Sequence, residues 1–300
     1  MATRALIGLR RHAFAGAVGF AGGACVGLVG WGGAQFIVPG MTHPFMGHTQ
    51  LAATGISLCS LSLSTTSSAA KWIMSDSVSW PQAAAIALPA IVTARLGTRF
   101  AAKISNDALE LIFNGLSLLL IPTHLLVQRH AKQRDGDDNA ATAAPKAIRK
   151  TLTEHQQGSP SGASLSEQLA SIRPLDLAFG CVSGAISSLM GVGGLPLTMS
   201  YLTAFTSLPH HLVQGTAVLA VAPSILTSAV SRIHVVPLAT GAVVSAGAVG
   251  GAAMGASVAL RTPEERLREL YMLSLVLLGG RSFVRAGQNL RTILSRRQGT

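Results

Sequence analysis

The sequence predicts an all-α, polytopic membrane protein: about eight transmembrane helices in two homologous four-helix halves, the first helix of each half broken by glycine. Three observations carry that prediction. Charged residues make up 12% of the 300-residue chain, about half the ~25% of a soluble domain, so the chain lacks the polar surface to face water. The charges are also clustered. None occurs from His12 to Ala70 or from Leu177 to Ser231, runs of 59 and 55 residues, whereas one crossing takes about 20. The third observation is a repeat. Gly19, Gly23, Gly30, Gly32 and Gly33 recur as Gly180, Gly184, Gly191, Gly193 and Gly194, each 161 residues later.

Further matches extend the repeat. His48 and Thr54 correspond to His210 and Thr216 at an offset of 162, and Lys103, Leu109 and Phe113 to Arg261, Leu267 and Tyr271 at 158. The halves therefore span 12–128 and 174–287. Between them, 129–173 mixes Lys, Arg and Asp with Ala, Ser, Gln, Gly and Pro. Such a composition buries no core and reads as a flexible cytoplasmic linker.

Each half divides into four apolar segments, at 13–39, 48–73, 81–101 and 107–128, then 176–204, 210–231, 237–260 and 265–284. Pro39-Gly40, His43-Pro44, Trp80-Pro81, Pro209 and Pro237 punctuate them. Thr262-Pro263-Glu264-Glu265 supplies a cap, a first-turn proline and a capping-box carboxylate for the eighth. Asp107-x-x-Glu110 does similar work for the fourth.

If all eight segments cross, 17 Lys and Arg lie on the N-terminal side and 6 opposite; if the first and fifth do not cross, the division is 12 to 11. The positive-inside bias prefers the first arrangement. It puts both termini and the linker in the cytoplasm, with the halves the same way up about an axis along the membrane normal. The expected location is the plasma membrane, an organelle membrane remaining open. Arg4, Arg10 and Arg11 before an apolar run imitate a signal peptide. The segment belongs to the repeat, however, and is read as retained.

The net charge of +11 fits loops between apolar segments better than a nucleic-acid surface. Cys25, Cys59 and Cys181 all fall in apolar segments and read as packing residues, with no metal site or cofactor implied. Neither uncharged run holds a carboxylate, which argues against coupling through a buried acid.

The chemistry is expected at the glycine clusters. Gly30-Trp31-Gly32-Gly33 and Gly191-Val192-Gly193-Gly194 sit inside apolar segments, where each glycine disfavours continuous helix by about 1 kcal/mol. Unwound backbone at membrane depth is tolerated only inside protein or beside a wet cavity, and a broken helix offers free amides and a positive dipole end to an anion. Gly19-x3-Gly23 and Gly180-x3-Gly184 instead have the spacing of close helix contacts. Candidate substrate-binding residues are Gly30, Gly32, Gly33, Thr54, Gly191, Gly193, Gly194 and Thr216. Trp31, Gln50, His48, His210 and Gln214 are candidates to line the pathway. Interhelical hydrogen bonding is the competing account of the Thr and Gln residues, and an interfacial position that of the histidines. Arg95 and Arg99 read as snorkelling to the interface.

The duplicated G-x3-G-x6-G-x-G-G motif, two four-segment halves, a Thr early in the second segment of each half and a central polar linker resemble the sulfite exporter TauE/SafE family. The resemblance spans both halves. It implies a permease for sulfite, an organosulfonate or a related sulfur oxyanion, with a lipid bilayer and a small anion as its partners and no catalytic residue. The usual third consecutive glycine is Ala34 in one half and Leu195 in the other, and Pro39 aligns with Ser200. The expected function is a secondary transporter working by alternating access. The alternatives are a membrane scaffold docking through its linker and, from Ser183-Gly184 and the histidines, an intramembrane hydrolase, which lacks any accepted serine motif.

Overall fold

The computed structural model describes residues 2–30, 32–115, 172–206 and 208–263, with five positions between 266 and 273. The expectations for Trp31, the linker, the end of the fourth segment and most of the eighth lie outside the described residues. Among the described residues the chain is helical, with no strand. The helices are α1 (Ala2–Val29), α2 (Ala34–Thr42), α3 (Gln50–Met74), α4 (Trp80–Ala101), α5 (106–115), α6 (Pro174–Met190), α7 (Leu195–Phe205), α8 (His210–Arg232) and α9 (Leu238–Arg261). Stretches within α1, α4, α8 and α9 are long and apolar enough to cross a membrane. Along α4, Leu88, Val92, Leu96 and Phe100 form one exposed stripe, the four-residue spacing of a helix face turned outward toward lipid.

Helix α3 is different. It carries Ser57, Ser60, Ser62, Ser64, Thr65 and Ser68, all buried, and most of these hydroxyls donate to carbonyls three or four residues earlier. Such internal bonding lets a polar helix occupy the centre of the molecule, and α3 packs against α1, α2, α8 and α9. The start of α5 is capped by Ser105, whose hydroxyl accepts from the Ala108 amide, rather than by Asp107.

The close-packing glycines behave as their spacing suggests. A Cβ on Gly19, Gly23 or Gly27 would collide with carbonyl oxygens of α9, and one on Gly247, Gly251 or Gly255 with carbonyl oxygens of α1. Gly180 and Gly184 sit equally tightly on α4. Small residues allow this backbone approach, and packing rather than hydrophobic exclusion drives helix association in lipid.

Chain direction follows from these contacts. Gly19 meets Val244 and Gly27 meets Ala252, so α1 and α9 run parallel; Gly180 meets Ile86 and Gly97 meets Ala185 and Ser188, so α4 and α6 do too. Helices α3 and α8 run antiparallel: Gly55 abuts Val235 and Val236 at one end, and Gly215 abuts Ser77 and Trp72 at the other. The packing pairs have a regular form. Exchanging α1/α2 for α6/α7, α3 for α8 and α4 for α9 maps α1–α9 onto α6–α4, α3–α9 onto α8–α4, and α2–α3 onto α7–α8.

The first and fifth segments do not simply cross. After Val29 the chain turns back: Gly33 and Ile37 lie against Gly22, Gly40 against Val18, and Phe45 edge-on to Phe14 with ring centroids 5.7 Å apart. Likewise Thr198 Oγ1 lies 3.3 Å from Ser183 Oγ, and Tyr201 stacks on Phe179 at 4.1 Å. Each segment is thus a helical hairpin, α1–α2 and α6–α7, that enters and leaves at one level. This corrects the expectation that both halves lie the same way up. The chain enters α6 from the face opposite the one from which it enters α1. With these two segments returning and the other six crossing as the sequence leads one to expect, the Lys and Arg division is the even one, 12 to 11, and the charge bias gives the termini no preferred side.

Candidate functional site

The hairpin tips are built by left-handed backbone. Gly30 has φ +68°, and Gly191, Gly193 and Gly194 have φ +73°, +83° and +68°. An L-residue with a Cβ reaches this region only at a cost of about 1–2 kcal/mol, so glycine is what allows the reversal. Gly191 ends α6 with its amide 3.0 Å from the Ser187 carbonyl; Gly33 and Gly194 precede α2 and α7. Pro196 falls in the first turn of α7, where no amide donor is needed. Pro39, read from the sequence as a further break, lies inside α2 without ending it.

The two tips pass each other at the centre of the protein. A Cβ on Gly32 would overlap Val192, and one on Gly193 would come within 2.9 Å of Ile225 on α8 and 3.3 Å of Leu61 on α3. Gly30 faces Gln214 and Met199. The N-terminal ends of α2 and α7 thus both begin in the interior. Ser187 Oγ is buried with no hydrogen-bond partner, 3.3 Å from where a Cβ on Gly194 would stand. An unpartnered donor beside a helix N-terminus favours negative charge.

The structure therefore brings Gly30, Gly32, Gly191, Gly193, Thr54 and Gln214 to one region. The hydroxyls of Thr54 and Thr216 are both engaged. Thr54 donates to the Leu51 carbonyl (2.9 Å) and accepts from the Arg232 guanidinium (2.8 Å). Thr216 accepts from the Ser79 amide at 2.9 Å, joining the starts of α4 and α8. Gln214 donates to the Gly27 carbonyl at 3.2 Å, near the end of α1. Gln50 is buried at the first turn of α3. His48 and His210 are not brought together. They precede or begin the antiparallel helices α3 and α8, and so lie at opposite ends of the molecule. His48 is half-buried in the loop before α3; burial, then the nearby Arg11 charge, holds its pKa below the ordinary 6.5.

Ser57, which the sequence offers with Gln50 and Thr54 as a polar residue of the second segment, donates to the Gly191 carbonyl at 2.9 Å and ties α3 to the second tip. Two residues escaped the sequence reading, Ser187 and Arg232. Arg232 reads from sequence as a loop charge but is only 3% exposed. Its signal was available: it ends the long uncharged run and stands 161 residues after Lys71, in the register of the glycine repeat. Near it, a cavity of about 540 Å³ between the ends of α4 and α6 is lined by Leu96, Gly97, Phe100 and Leu189, with Arg99 and Lys103 also in its wall.

These features define an integral membrane protein whose interior is organised around two glycine-tipped hairpins. Among the described residues no cluster of His, Cys, Asp and Glu is arranged to hold a metal ion. The chain belongs to the sulfite exporter TauE/SafE family, whose family model matches residues 15–282. Membership suggests a multi-pass membrane transporter of sulfur anions. No curated protein and no solved structure gives a significant match.

Proposed function

We propose that this protein is a secondary permease for a small sulfur oxyanion such as sulfite or an organosulfonate, and that the two hairpin tips form its binding site. The observation that carries the reading is the meeting of the two tips at the centre, each opening a helix N-terminus into the interior. Backbone amides and a positive dipole end replace part of the anion's hydration without introducing a fixed charge. Ser187 adds a hydroxyl donor at the second tip. Binding strong enough to dehydrate the anion and weak enough to release it suits a carrier.

The working unit is two inverted halves, 12–128 and 174–287, joined by the linker 129–173. The exchange symmetry of the packing pairs supports this reading, as does the antiparallel course of α3 and α8. The pseudo-two-fold axis then lies in the membrane plane, the arrangement in which alternating access arises by exchanging the conformations of the two halves. The plasma membrane is the proposed location, with no covalent chemistry and no cofactor in the cycle.

The test is uptake of labelled sulfite into proteoliposomes, with sulfate, taurine, sulfoacetate and chloride as competitors. Saturable uptake, competed by sulfur oxyanions more strongly than by chloride, supports the reading. Equal competition by chloride would make the protein a general anion pathway instead.

A further inference from the structure

Arg232 is a buried cation that the glycine site does not account for. Its guanidinium donates to Thr54 Oγ1 at 2.8 Å, to the Ser188 carbonyl at 2.7 Å and to the Leu189 carbonyl at 3.3 Å. All three partners are neutral oxygens, and no carboxylate among the described residues pairs with it. Its Nε is buried and has no hydrogen-bond partner. Taking a lone cation out of water costs several kcal/mol. The two carbonyls belong to the last turn of α6, whose negative dipole end returns part of that, typically 0.3–1 kcal/mol and up to about 2. Most of the positive charge and the Nε donor are left uncompensated.

Helix capping alone does not explain the residue. A neutral donor satisfies a carbonyl at the end of α1, where Gln214 donates to Gly27. At the end of α6 the same task is given to an arginine, the side chain best suited to a planar, multidentate grip on an oxyanion. Its neighbourhood is also built for it. At the start of α4 the Thr216 hydroxyl accepts from the Ser79 amide. At the corresponding place before α9 stands Pro237, which has no amide, so the Thr54 hydroxyl is left to receive Arg232. The acceptor Thr54 lies against Gly191 of the second tip, with a Cβ there only 2.8 Å from Thr54 Cβ.

We propose that Arg232 is the charge-selecting residue of the pathway: it binds the oxyanion as it passes the second hairpin tip, and Thr54 positions it. The proposal rests on the permease reading for the identity of the ligand, though not for the existence of an anion site. In the arrangement seen, the guanidinium is held on the α6 carbonyls; an arriving oxyanion takes the free Nε donor and competes for the terminal nitrogens. Because the carbonyls and the anion share one donor set, occupancy loosens the contact between α6 and α3.

The experiment measures two quantities on full-length protein: sulfite uptake in proteoliposomes, and melting in detergent with added sodium sulfite, sulfate or chloride at matched ionic strength. The variants are Arg232→Gln, Arg232→Lys and Thr54→Val. The expected result is a half-saturation concentration at least tenfold higher in Arg232→Gln, with the sulfite-induced rise in melting temperature lost. Arg232→Lys, which keeps the charge and loses the planar fork, weakens sulfite less than Arg232→Gln does, and Thr54→Val weakens sulfite by about three- to tenfold. A folded Arg232→Gln protein with unchanged half-saturation and a lower melting temperature would overturn the proposal and leave a capping residue. If Arg232→Gln does not fold, the other two variants decide: unchanged sulfite dependence in Thr54→Val also overturns it. Absence of uptake by the wild type, with stabilisation by sulfite that Arg232→Gln lacks, would sink the permease reading while sustaining the anion site. Neither uptake nor stabilisation in the wild type would overturn both.

Discussion

Replacing Gly191 by alanine probes the second hairpin tip with one carbon atom. Two costs follow from the structure. At φ +73° the new side chain sits in the left-handed region, at about 1–2 kcal/mol. The Cβ would also stand 2.8 Å from Thr54 Cβ and 3.1 Å from its Cα and carbonyl oxygen, closer than carbon atoms pack, and overpacking of this kind costs about 1–3 kcal/mol. The sum is about 2–5 kcal/mol, a fall of roughly 5–15 °C in melting temperature if a membrane protein of this size follows the soluble-domain scale. Thr54 must move to relieve the contact, and Arg232 with it, so sulfite dependence should weaken as well. Gly250 supplies the internal comparison: it lies in α9 with nothing within 4 Å of its Cβ position, so alanine there should stabilise by about 0.8–1 kcal/mol through helix propensity. Melting in detergent, followed by tryptophan fluorescence or a thiol-reactive dye, reads both variants. A Gly191→Ala protein as stable as Gly250→Ala would refute the tip geometry.

The seam and the loop histidine give two further predictions. Gly23→Val places a branched side chain against the Ala248 carbonyl, where backbone meets backbone and nothing can yield, so the yield of monodisperse protein should collapse. Gly16→Ala, whose Cβ would find Val243 at an ordinary 3.6 Å, should purify like wild type and melt no lower; equal behaviour of the two variants would contradict the α1–α9 contact. His48 should lose its proton with a midpoint below 6.5, because burial and Arg11 disfavour the cation in the folded protein. Its contribution to stability is therefore present above the unfolded pKa of 6.5 and lost as pH falls through the lowered folded value. Arg11→Gln should move the midpoint part of the way back, and NMR titration of labelled histidine that placed it above 6.5 in the wild type would refute this.

The apolar segments were legible because membrane helices leave a long, uncharged record. The start of α3 at Gln50 and the starts of α4 and α9 at Trp80 and Leu238 fall within about two residues of the expected bounds. The glycine repeat gave the positions of both tips for a physical reason: four left-handed residues at these turns admit little else. What glycine does not encode is direction. Left-handed backbone releases the chain from the helix, and whether it then continues or returns depends on whether the two arms of the segment pack on each other, here Gly33 settling against Gly22 and Tyr201 against Phe179. A count of Lys and Arg depends on the number of crossings, so an error about the hairpins carried directly into the orientation of the halves. Arg232 was hidden by the same assumption: a charge at the end of an apolar run reads as a loop residue until α6 and α3 are seen to close around it. Thr54 was legible as a polar residue with a role, but its partner was not, because 178 residues separate the two.

The central claim, that an oxyanion crosses by way of the two glycine tips, is tested most directly by sulfite efflux from proteoliposomes carrying wild type or a Gly30→Leu/Gly193→Leu variant. A Cβ on Gly30 would meet the side chains of Gln214 and Met199, and one on Gly193 those of Ile225 and Leu61; these neighbours are side chains that can shift, so both changes fill the tips. The account predicts saturable efflux from the wild type and none above protein-free vesicles from the variant, with the variant shown folded by its melting transition. Equal efflux from a folded variant would place the pathway elsewhere in the molecule and contradict the claim.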